Sequence, residues 1–357
     1  MSVFVIAEAG VNHDGQLERA VALVDAAAEA GADAVKFQTF KAESLTAPDA
    51  PKADYQLRNT GADDSQLAML KRLELSEDSH VALLNRCREK GIGFLSSPFD
   101  HDSLLFLNKR LGIGVIKLGS GEITNAPLLL ATGRLAKHVI LSTGMCTLDE
   151  IADALGVLAF AMTAPQSAAP GKAVFAAARA SKDGLRALQD RVTLLHCTTD
   201  YPANPKEANL KAIPAMAEHF KLRIGFSDHT PGIEVSLGAV ALGACVIEKH
   251  LTLDRTLPGP DHKASLEPQE FKSLVEGVRL VESALGDGVK CPMPSELVNR
   301  AVARKSLAAL CRIAEGETLT EINMGALRPG DGISPMAYWD HLGQTVKRDY
   351  EAGERLS

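Results

Sequence analysis

Polar clusters end the apolar runs of this 357-residue sequence. The stretch "GFSDHTPG" (225–232) is apolar at first and then places four polar residues, 227–230, before a Pro-Gly break. His229 lies in this cluster, and His250 ends the next apolar run. Two imidazoles from neighbouring strands can share one divalent metal ion. Their spacing is not itself a metal motif, so structural roles for both histidines stay open.

The other apolar runs end in the same way. Their terminal polar residues are Glu8 and His13, Lys36 and Gln38, Ser96 and Ser97, Lys117 with Ser120 and Glu122, Ser142 and Thr143, His196 with Thr198 and Thr199, Ser227 with Asp228, and Glu248. A single Ser or Thr is as consistent with a helix cap as with a ligand contact. The full set is harder to explain structurally, because unpaired buried charge is costly. We therefore predict a binding site built from the strand ends, with His196 as a core or supporting histidine.

The chemistry of this set favours an anionic ligand. Two lysines, several short hydroxyls and the glycine-rich turns "GSGE" and "STGM" suit a phosphate and a carboxylate. Two histidines fill few of the coordination positions of a metal ion. Substrate and water would fill the others, as in a catalytic metal site. Asp228 is predicted to orient His229 or a neighbour. Thr230 and Pro231 are predicted to start the next helix.

The elements that position these residues follow a regular order. Eight apolar runs occur at 3–10, 34–40, 93–100, 114–122, 138–145, 192–200, 222–230 and 245–254. Near-continuous apolar strands indicate a parallel sheet covered on both faces. Amphipathic helical patterns alternate with them, so residues 1–286 are predicted to form a (β/α)8 TIM barrel. An open doubly wound sheet is disfavoured because "AEAGVNHDG" lacks the GxGxxG turn. Residues 160–184 look like an insertion without chemistry.

The C-terminal part has a different pattern. Residues 287–299 are predicted to be a linker, and residues 300–357 a small second domain of short strands and turns. In its "LRPGDGIS" turn, Arg328 is by residue pattern alone an ordinary surface arginine.

Composition excludes some partners and predicts a compartment. A net charge of −7 and a pI near 5.8 argue against binding to nucleic acid or to an anionic membrane. The sequence has neither an apolar span of about 20 residues nor a basic leader, so a cytoplasmic protein is expected. The six cysteines form no CxxC pair, which predicts buried free thiols in a reducing compartment.

Taken together, the motifs resemble the sialic acid synthase family, the bacterial nonulosonic acid synthases. They are "AEAGVNHDG", "AVKFQTF", "IKLGSGE", "LSTGM", "LLHCTTDYP", "GFSDHT", "IEKHLTLD", "PGPDHKASLEP" and "LRPGDGIS". The resemblance implies a TIM barrel, a C-terminal domain similar to type III antifreeze proteins (a SAF domain), and a domain-swapped homodimer. The implied reaction condenses phosphoenolpyruvate with an N-acetylmannosamine-type aldose and water, giving a nonulosonic acid and phosphate. The implied metal is Mn²⁺, with Mg²⁺ or Co²⁺ as alternatives.

The resemblance also implies roles for single residues. Phosphoenolpyruvate is expected to bind Lys36, Ser97, Lys117, Ser120, Ser142 and Ser227, and the metal to bind His229 and His250. The sugar is expected to contact Glu122, Tyr201 and Asp261, and Arg328 is expected to reach its N-acyl group across the dimer. Glu8 matches a carboxylate near the reacting carbons, and with His229 and His250 it forms the predicted catalytic set.

Alternatives remain at this stage. Asp200 departs from the family pattern beside Tyr201 and leaves open a 2,4-diacetamido-2,4,6-trideoxy hexose, which gives legionaminic or pseudaminic acid. A Schiff-base aldolase would use Lys36 or Lys117 as its nucleophile. A metal-dependent hydrolase lacks its HxH motif on the first strand. A non-enzymatic binding module would rely on the small domain alone.

Overall fold

Eight parallel strands form the centre of the N-terminal part of the chain. The structure is a computed structural model that describes residues 2–61 and 64–357. The strands are β1 Phe4–Gly10, β2 Ala34–Thr39, β3 Gly93–Pro98, β4 Val115–Leu118, β5 His138–Ser142, β6 Val192–Cys197, β7 Arg223–Asp228 and β8 Val246–His250. Their order is β3-β2-β1-β8-β7-β6-β5-β4, and β3 lies beside β4. The predicted (β/α)8 barrel is confirmed, and every predicted strand is present; β1 ends at the predicted Gly10, and the other seven strands end earlier than predicted.

Helices cover the outside of the barrel because the connections between parallel strands must return to the same end. They are α1 Leu17–Glu29, α2 Ala42–Leu45, α3 Asp54–Thr60, α4 Gln66–Leu73, α5 Glu77–Lys90, α6 His101–Leu105, α7 Ala126–Leu135, α8 Leu148–Thr163, α9 Lys172–Ala180, α10 Lys182–Arg191, α11 Ala212–Phe220, α12 Glu234–Ala241 and α13 Pro268–Leu285. A π-helix, Phe106–Arg110, extends α6, and 3-10 turns span Ser120–Thr124, Pro205–Glu207 and His262–Ala264. The predicted insertion is helical, since most of it lies in α8 and α9, which pack together.

The interior of the barrel is layered. A closed apolar layer consists of Ile6, Ala34, Leu95, Ile140, Leu195 and Val246. Side chains two residues apart on a strand point to the same face, so the next inward layer carries Glu8, Lys36, Ser97, Ser142, Cys197 and Glu248. Gly225 belongs to the apolar level of β7, where a Cβ atom would lie 2.6 Å from a methyl of Leu195. The apolar layer therefore closes one end of the barrel and lies directly beneath the polar layer.

The second compact unit comprises Asp287–Ser357. It contains α14 Pro294–Ala303, the antiparallel strands β9 Ser306–Ala309 and β10 Met324–Leu327, a 3-10 turn at Pro335–Ala337, and α15 Tyr338–His341. Its small core consists of Leu307, Ala309, Ile313, Leu319, Met324, Val346, Tyr350 and Leu356. Half of the segment predicted as a linker is thus helical, because α14 begins at Pro294.

Two further sequence predictions can be compared with the fold. In the part of the chain that the structure describes, no helix is long and apolar enough to cross a membrane. All six cysteines are free, but Cys291 and Cys311 are exposed, so the prediction of buried thiols is wrong for these two. Both lie in the second unit, whose small core leaves less room for side chains than the barrel does.

Candidate active site

A cavity of about 320 Å³ opens at the carboxyl ends of the barrel strands. Parallel barrels bind their ligands at this end, because the strand-to-helix loops surround it. Of the residues predicted for the site, the cavity is lined by Glu8, Lys36, Ser97, Lys117, Ser120, Ser142, Tyr201, Ser227, His229, His250 and Asp261. Glu122 does not line it.

Two lysines and two carboxylates form the floor of the cavity, and all four are buried. The Lys36 Nζ lies 2.8 Å from Glu8 Oε2 and 3.5 Å from Glu248 Oε2. The Lys117 Nζ lies 3.4 Å from Glu248 Oε1. Glu248 is therefore the shared counter-ion of both lysines.

The two carboxylates differ in their protonation. Burial, opposed by Lys36, raises the pKa of Glu8 to about 7. Burial would also raise the pKa of Glu248, but Lys117 and Lys36 together hold that pKa at about 2. Carboxyl groups whose pKa values are pushed apart in this way are suited to different roles in one site. Glu248 stays ionised at neutral pH, whereas Glu8 can hold or release a proton.

Hydroxyl and amide groups surround this floor. Ser97 Oγ accepts a hydrogen bond from Lys36 Nζ at 3.3 Å, and Ser227 Oγ donates to Glu248 Oε1 at 2.8 Å. The Ser120 Oγ accepts from the Gly144 amide at 2.8 Å. A Cβ atom on Gly144 would lie 2.3 Å from Thr199 Oγ1, so the "STGM" turn requires glycine there. These groups are fixed before a ligand arrives, which favours binding of an anion.

The two histidines lie side by side, with ring centroids 5.4 Å apart. His229 Nδ1 lies 2.6 Å from the Thr198 carbonyl and donates to it, so the lone pair of the ring is on Nε2, which lies 3.4 Å from the Ser227 hydroxyl. The Nδ1 of His250 is buried and has no hydrogen-bond partner. Burial lowers the pKa of His229 to about 4 and that of His250 well below its usual value, so both rings are neutral at pH 7.

These features fit a divalent cation. A neutral imidazole with an unused lone pair is a metal ligand, and the unpartnered Nδ1 of His250 is such an atom. Within residues 2–61 and 64–357, no three His, Cys, Asp or Glu side chains come together as a ligand set. The protein therefore offers two imidazoles, and the remaining ligands would come from substrate and water.

The residues predicted to contact a sugar are divided between different places. The Tyr201 ring lies between Tyr55 and His229, with centroid distances of 4.7 and 4.2 Å. Asp261 is buried in the wall, and burial, with Glu8 nearby, raises its pKa to about 7. Glu122 lies in the turn Ser120–Thr124, where Asn125 donates to its carboxylate at 2.7 Å.

Arg328 is an exposed residue of the second unit and follows β10. The structure of a single chain does not test its predicted role across a dimer, which stays a prediction.

Two predictions around "GFSDHTPG" are corrected or refined. The carboxylate of Asp228 contacts its neighbour Thr230 and not His229, because adjacent residues of a strand point to opposite faces. Thr230 and Pro231 do not start the next helix, since α12 begins at Glu234 after Gly232 with φ +74°.

Two residues near Tyr201 belong to the supporting structure. His196 contacts the Ala208 carbonyl at 2.8 Å and packs against Phe226, so it supports the fold rather than lining the cavity. Asp200 also lies outside the cavity lining, and its carboxylate pairs with Arg58 at 3.2 Å.

Sequence reasoning missed one wall of the cavity. The segment 42–73 carries α2, α3 and α4 and contributes Leu45, Thr46, Tyr55, Gln56, Gln66, Met69, Leu70 and Leu73 to the lining. The signal for this wall in the sequence was the long interval between the second and third apolar runs. Glu248 was recognised as a polar strand end but received no role, because its position between two lysines depends on three separate strands.

Comparison with known proteins places this site in a family. The sequence model described as "NeuB family" matches residues 23–290. The chain belongs to the NeuB family. It is 47% identical to N,N'-diacetyllegionaminic acid synthase of Campylobacter jejuni over 99% of this chain and 98% of the relative. It is 43% identical to the protein of the same name from Legionella pneumophila, over 100% of this chain and 94% of the relative.

A solved structure supports the same assignment. The crystal structure of N-acetylneuraminic acid (sialic acid) synthetase from Leptospira borgpetersenii, in complex with citrate, matches with a TM-score of 0.67 and 34% identity. The match covers 84% of this chain and 90% of that chain. The resemblance seen in the motifs is thereby confirmed, and the protein is an enzyme, a nonulosonic acid synthase. This excludes the hydrolase and the non-enzymatic binding module as alternatives.

Proposed function

We propose that the synthase condenses phosphoenolpyruvate with an N-acylated aldose and water, and that it releases a nonulosonic acid and phosphate. The floor of the cavity carries this proposal, because two buried lysines face a space that is lined by serine hydroxyls. A phosphate with a carboxylate is the ligand that matches such a set. On binding, the anion would take over part of the contact that Glu248 makes with the lysines.

The reaction can be followed through the bonds that form and break. The enol carbon of phosphoenolpyruvate attacks the aldehyde carbon of the open-chain sugar and forms the new C–C bond. Water adds to the pyruvyl C2, and phosphate leaves with its bridging oxygen by C–O cleavage. Lys36 and Lys117 stabilise the phosphate during these steps. Glu8, ion-paired with Lys36, lies where it can orient the water or take its proton.

His229 and His250 would hold the divalent cation, with Mn²⁺ as the proposed ion and Mg²⁺ or Co²⁺ as alternatives. When bound, such a cation supplies Lewis-acid polarisation of an aldehyde oxygen. The Thr198 carbonyl accepts from His229 Nδ1, so the lone pair of that ring is on Nε2. The packing of Tyr201 against both rings limits their rotation, because its centroid lies 4.2 Å from His229 and 5.6 Å from His250.

The aldose that we propose is a 2,4-diacetamido-2,4,6-trideoxy hexose rather than N-acetylmannosamine. Two relatives above 40% identity are named N,N'-diacetyllegionaminic acid synthases. The cavity also has an apolar wall, which we call the apolar corner and which consists of Val11, Leu45, Met69, Leu70, Leu73 and Phe99. A 6-deoxy sugar has a methyl group where N-acetylmannosamine has a hydroxymethyl group, and burying the hydroxyl of that group without a partner costs free energy.

Phosphate release with a panel of aldoses tests the proposal. We expect release that requires both the sugar and a divalent cation, with kcat/KM about 10-fold to 100-fold higher for the diacetamido sugar. In ¹⁸O-labelled water, the label should enter the keto acid and not the phosphate. Absence of release with every aldose would refute the synthase reaction, whereas a preference for N-acetylmannosamine would refute only the substrate.

Borohydride in the presence of pyruvate separates this reaction from a Schiff-base aldolase. A covalent adduct on Lys36 or Lys117 would support the aldolase. Activity that survives metal chelation would support it as well.

A further inference from the structure

A buried ion pair lies directly behind the two histidines. Asp228 Oδ2 is 2.8 Å from Lys249 Nζ, and both side chains have no exposed surface. The two residues face each other on β7 and β8 in the register of the sheet. Their neighbours Ser227 and Glu248 line the cavity, so Asp228 and Lys249 point away from it toward the helix layer.

This pair fixes the backbone around His229. The Asp228 Oδ1 accepts hydrogen bonds from both the amide and the hydroxyl of Thr230, each at 2.8 Å. Its Oδ2 accepts from Ser236 at 2.6 Å as well as from Lys249. Lys249 also donates to the Thr230 carbonyl. The residues on either side of His229 are therefore tied to each other and to the residue that precedes His250.

Stability alone is a poor explanation for this arrangement. Desolvation of two charges is costly, and replacement of a buried ion pair by apolar residues of similar size is often neutral or stabilising. What apolar residues cannot supply is a set of directed hydrogen bonds. Here those bonds hold the ends of two adjacent strands in one register, and these strand ends carry the two imidazoles.

We propose that Asp228 and Lys249 are positioning residues that hold His229 and His250 at the separation at which they share one divalent cation. The inference rests on the proposed metal site and deepens it. Neither residue touches substrate, because neither lines the cavity. Their effect on the reaction passes through the geometry of the two imidazoles.

Mn²⁺ titration of the metal-free full-length protein, with and without phosphoenolpyruvate, tests this role. The variants are Lys249→Met and the apolar pair Asp228→Leu/Lys249→Met, which removes the charge imbalance. We expect at least 10-fold weaker Mn²⁺ binding in both variants and recovery of much of kcat at high Mn²⁺. The double variant should regain melting temperature relative to Lys249→Met without regaining Mn²⁺ affinity, because it lacks the Lys249 bond to Thr230 and also the two bonds from Thr230 to Asp228.

Asp33→Asn provides the matched control. Asp33 pairs with Arg279 at 2.8 Å and accepts from the Val5 amide, so it ties strands at the opposite end of the barrel. Its loss should lower the melting temperature and leave Mn²⁺ affinity unchanged. Wild-type Mn²⁺ affinity in the double variant would overturn the positioning role. If neither the wild type nor His229→Ala bound Mn²⁺, this result would instead overturn the metal site on which the positioning role rests.

Discussion

At the scale of single residues, the most informative group is the carboxylate of Glu248. It is buried and serves both lysines of the cavity floor, at 3.5 Å from Lys36 and 3.4 Å from Lys117. The same lysines would have to bind the phosphate of phosphoenolpyruvate. The ligand-free enzyme thus keeps its two buried positive charges stable with an internal anion, and the substrate anion competes for them.

Glu248→Gln should destabilise the ligand-free enzyme and make it unusually responsive to phosphoenolpyruvate. Loss of one partner of a buried charge group costs about 3–5 kcal/mol. A bound trianion would return negative charge to the lysines, so phosphoenolpyruvate should raise the melting temperature of the variant more than that of wild type. Glu77→Gln, which removes an exposed ion pair with Arg110, is the control. Equal shifts in Glu248→Gln and wild type would contradict the competition.

At the scale of elements, the helices between β2 and β3 decide the shape of the cavity. α4 is held over the strand ends by Met69 and Leu73, which are buried with Val11 and Phe40. Tyr55 on α3 packs against Tyr201, and this contact joins the segment to the loop that follows β6. The apolar corner therefore belongs to this connection, whereas the charged floor belongs to the barrel strands.

Leu70→Gln should reduce the preference for the 6-deoxy sugar by about tenfold, since an apolar pocket distinguishes one group by about 1–3 kcal/mol. Leu70 lines the cavity and is only half-buried, so the fold should tolerate the change. Leu67→Gln is the matched control, because Leu67 is a half-buried residue of the same helix outside the cavity lining. The measurement is the ratio of kcat/KM for the diacetamido sugar and N-acetylmannosamine. An unchanged ratio in Leu70→Gln would remove the apolar corner from substrate selection.

At the scale of the whole molecule, the chain consists of two units with separate cores. The barrel supplies the cavity, and the second unit carries Arg328 as an exposed residue. The resemblance implies a domain-swapped homodimer in which this arginine serves the partner's site. A variant that lacks Arg328 and a variant that lacks a metal ligand can therefore complement each other if the dimer is arranged in that way.

Mixing Arg328→Ala with His250→Ala, under conditions in which subunits exchange, should restore activity. At a sugar concentration well below the KM of Arg328→Ala, random exchange gives about a quarter of the wild-type rate, since half of the dimers are mixed, each has one intact site, and the Arg328→Ala homodimers contribute little. Arg328→Ala alone should mainly raise the KM of the sugar. No recovery after exchange, verified by mass spectrometry of tagged subunits, would place the action of Arg328 within its own chain.

The sequence by itself determined the barrel and the polar strand ends that line its cavity. Eight apolar runs with polar ends specify both, because a strand that crosses a dry layer must be apolar until it reaches the cavity. The step from Ile6 to Glu8, or from Val246 to Glu248, is that transition, and it can be seen in the printed sequence. Local periodicity carries this information, so no distant contact is needed to find it.

Only the tertiary structure decided how these groups combine. The pairing of Glu248 with both lysines and the wall formed by α4 join residues far apart in sequence, which no local pattern reveals. Asp228 is the clearest example: its position in the sequence predicted a contact with His229 or a neighbour, yet its charged partner is Lys249 on the adjacent strand. The physical reason is that a strand turns alternate side chains to opposite faces, so partners are chosen across the sheet rather than along the chain.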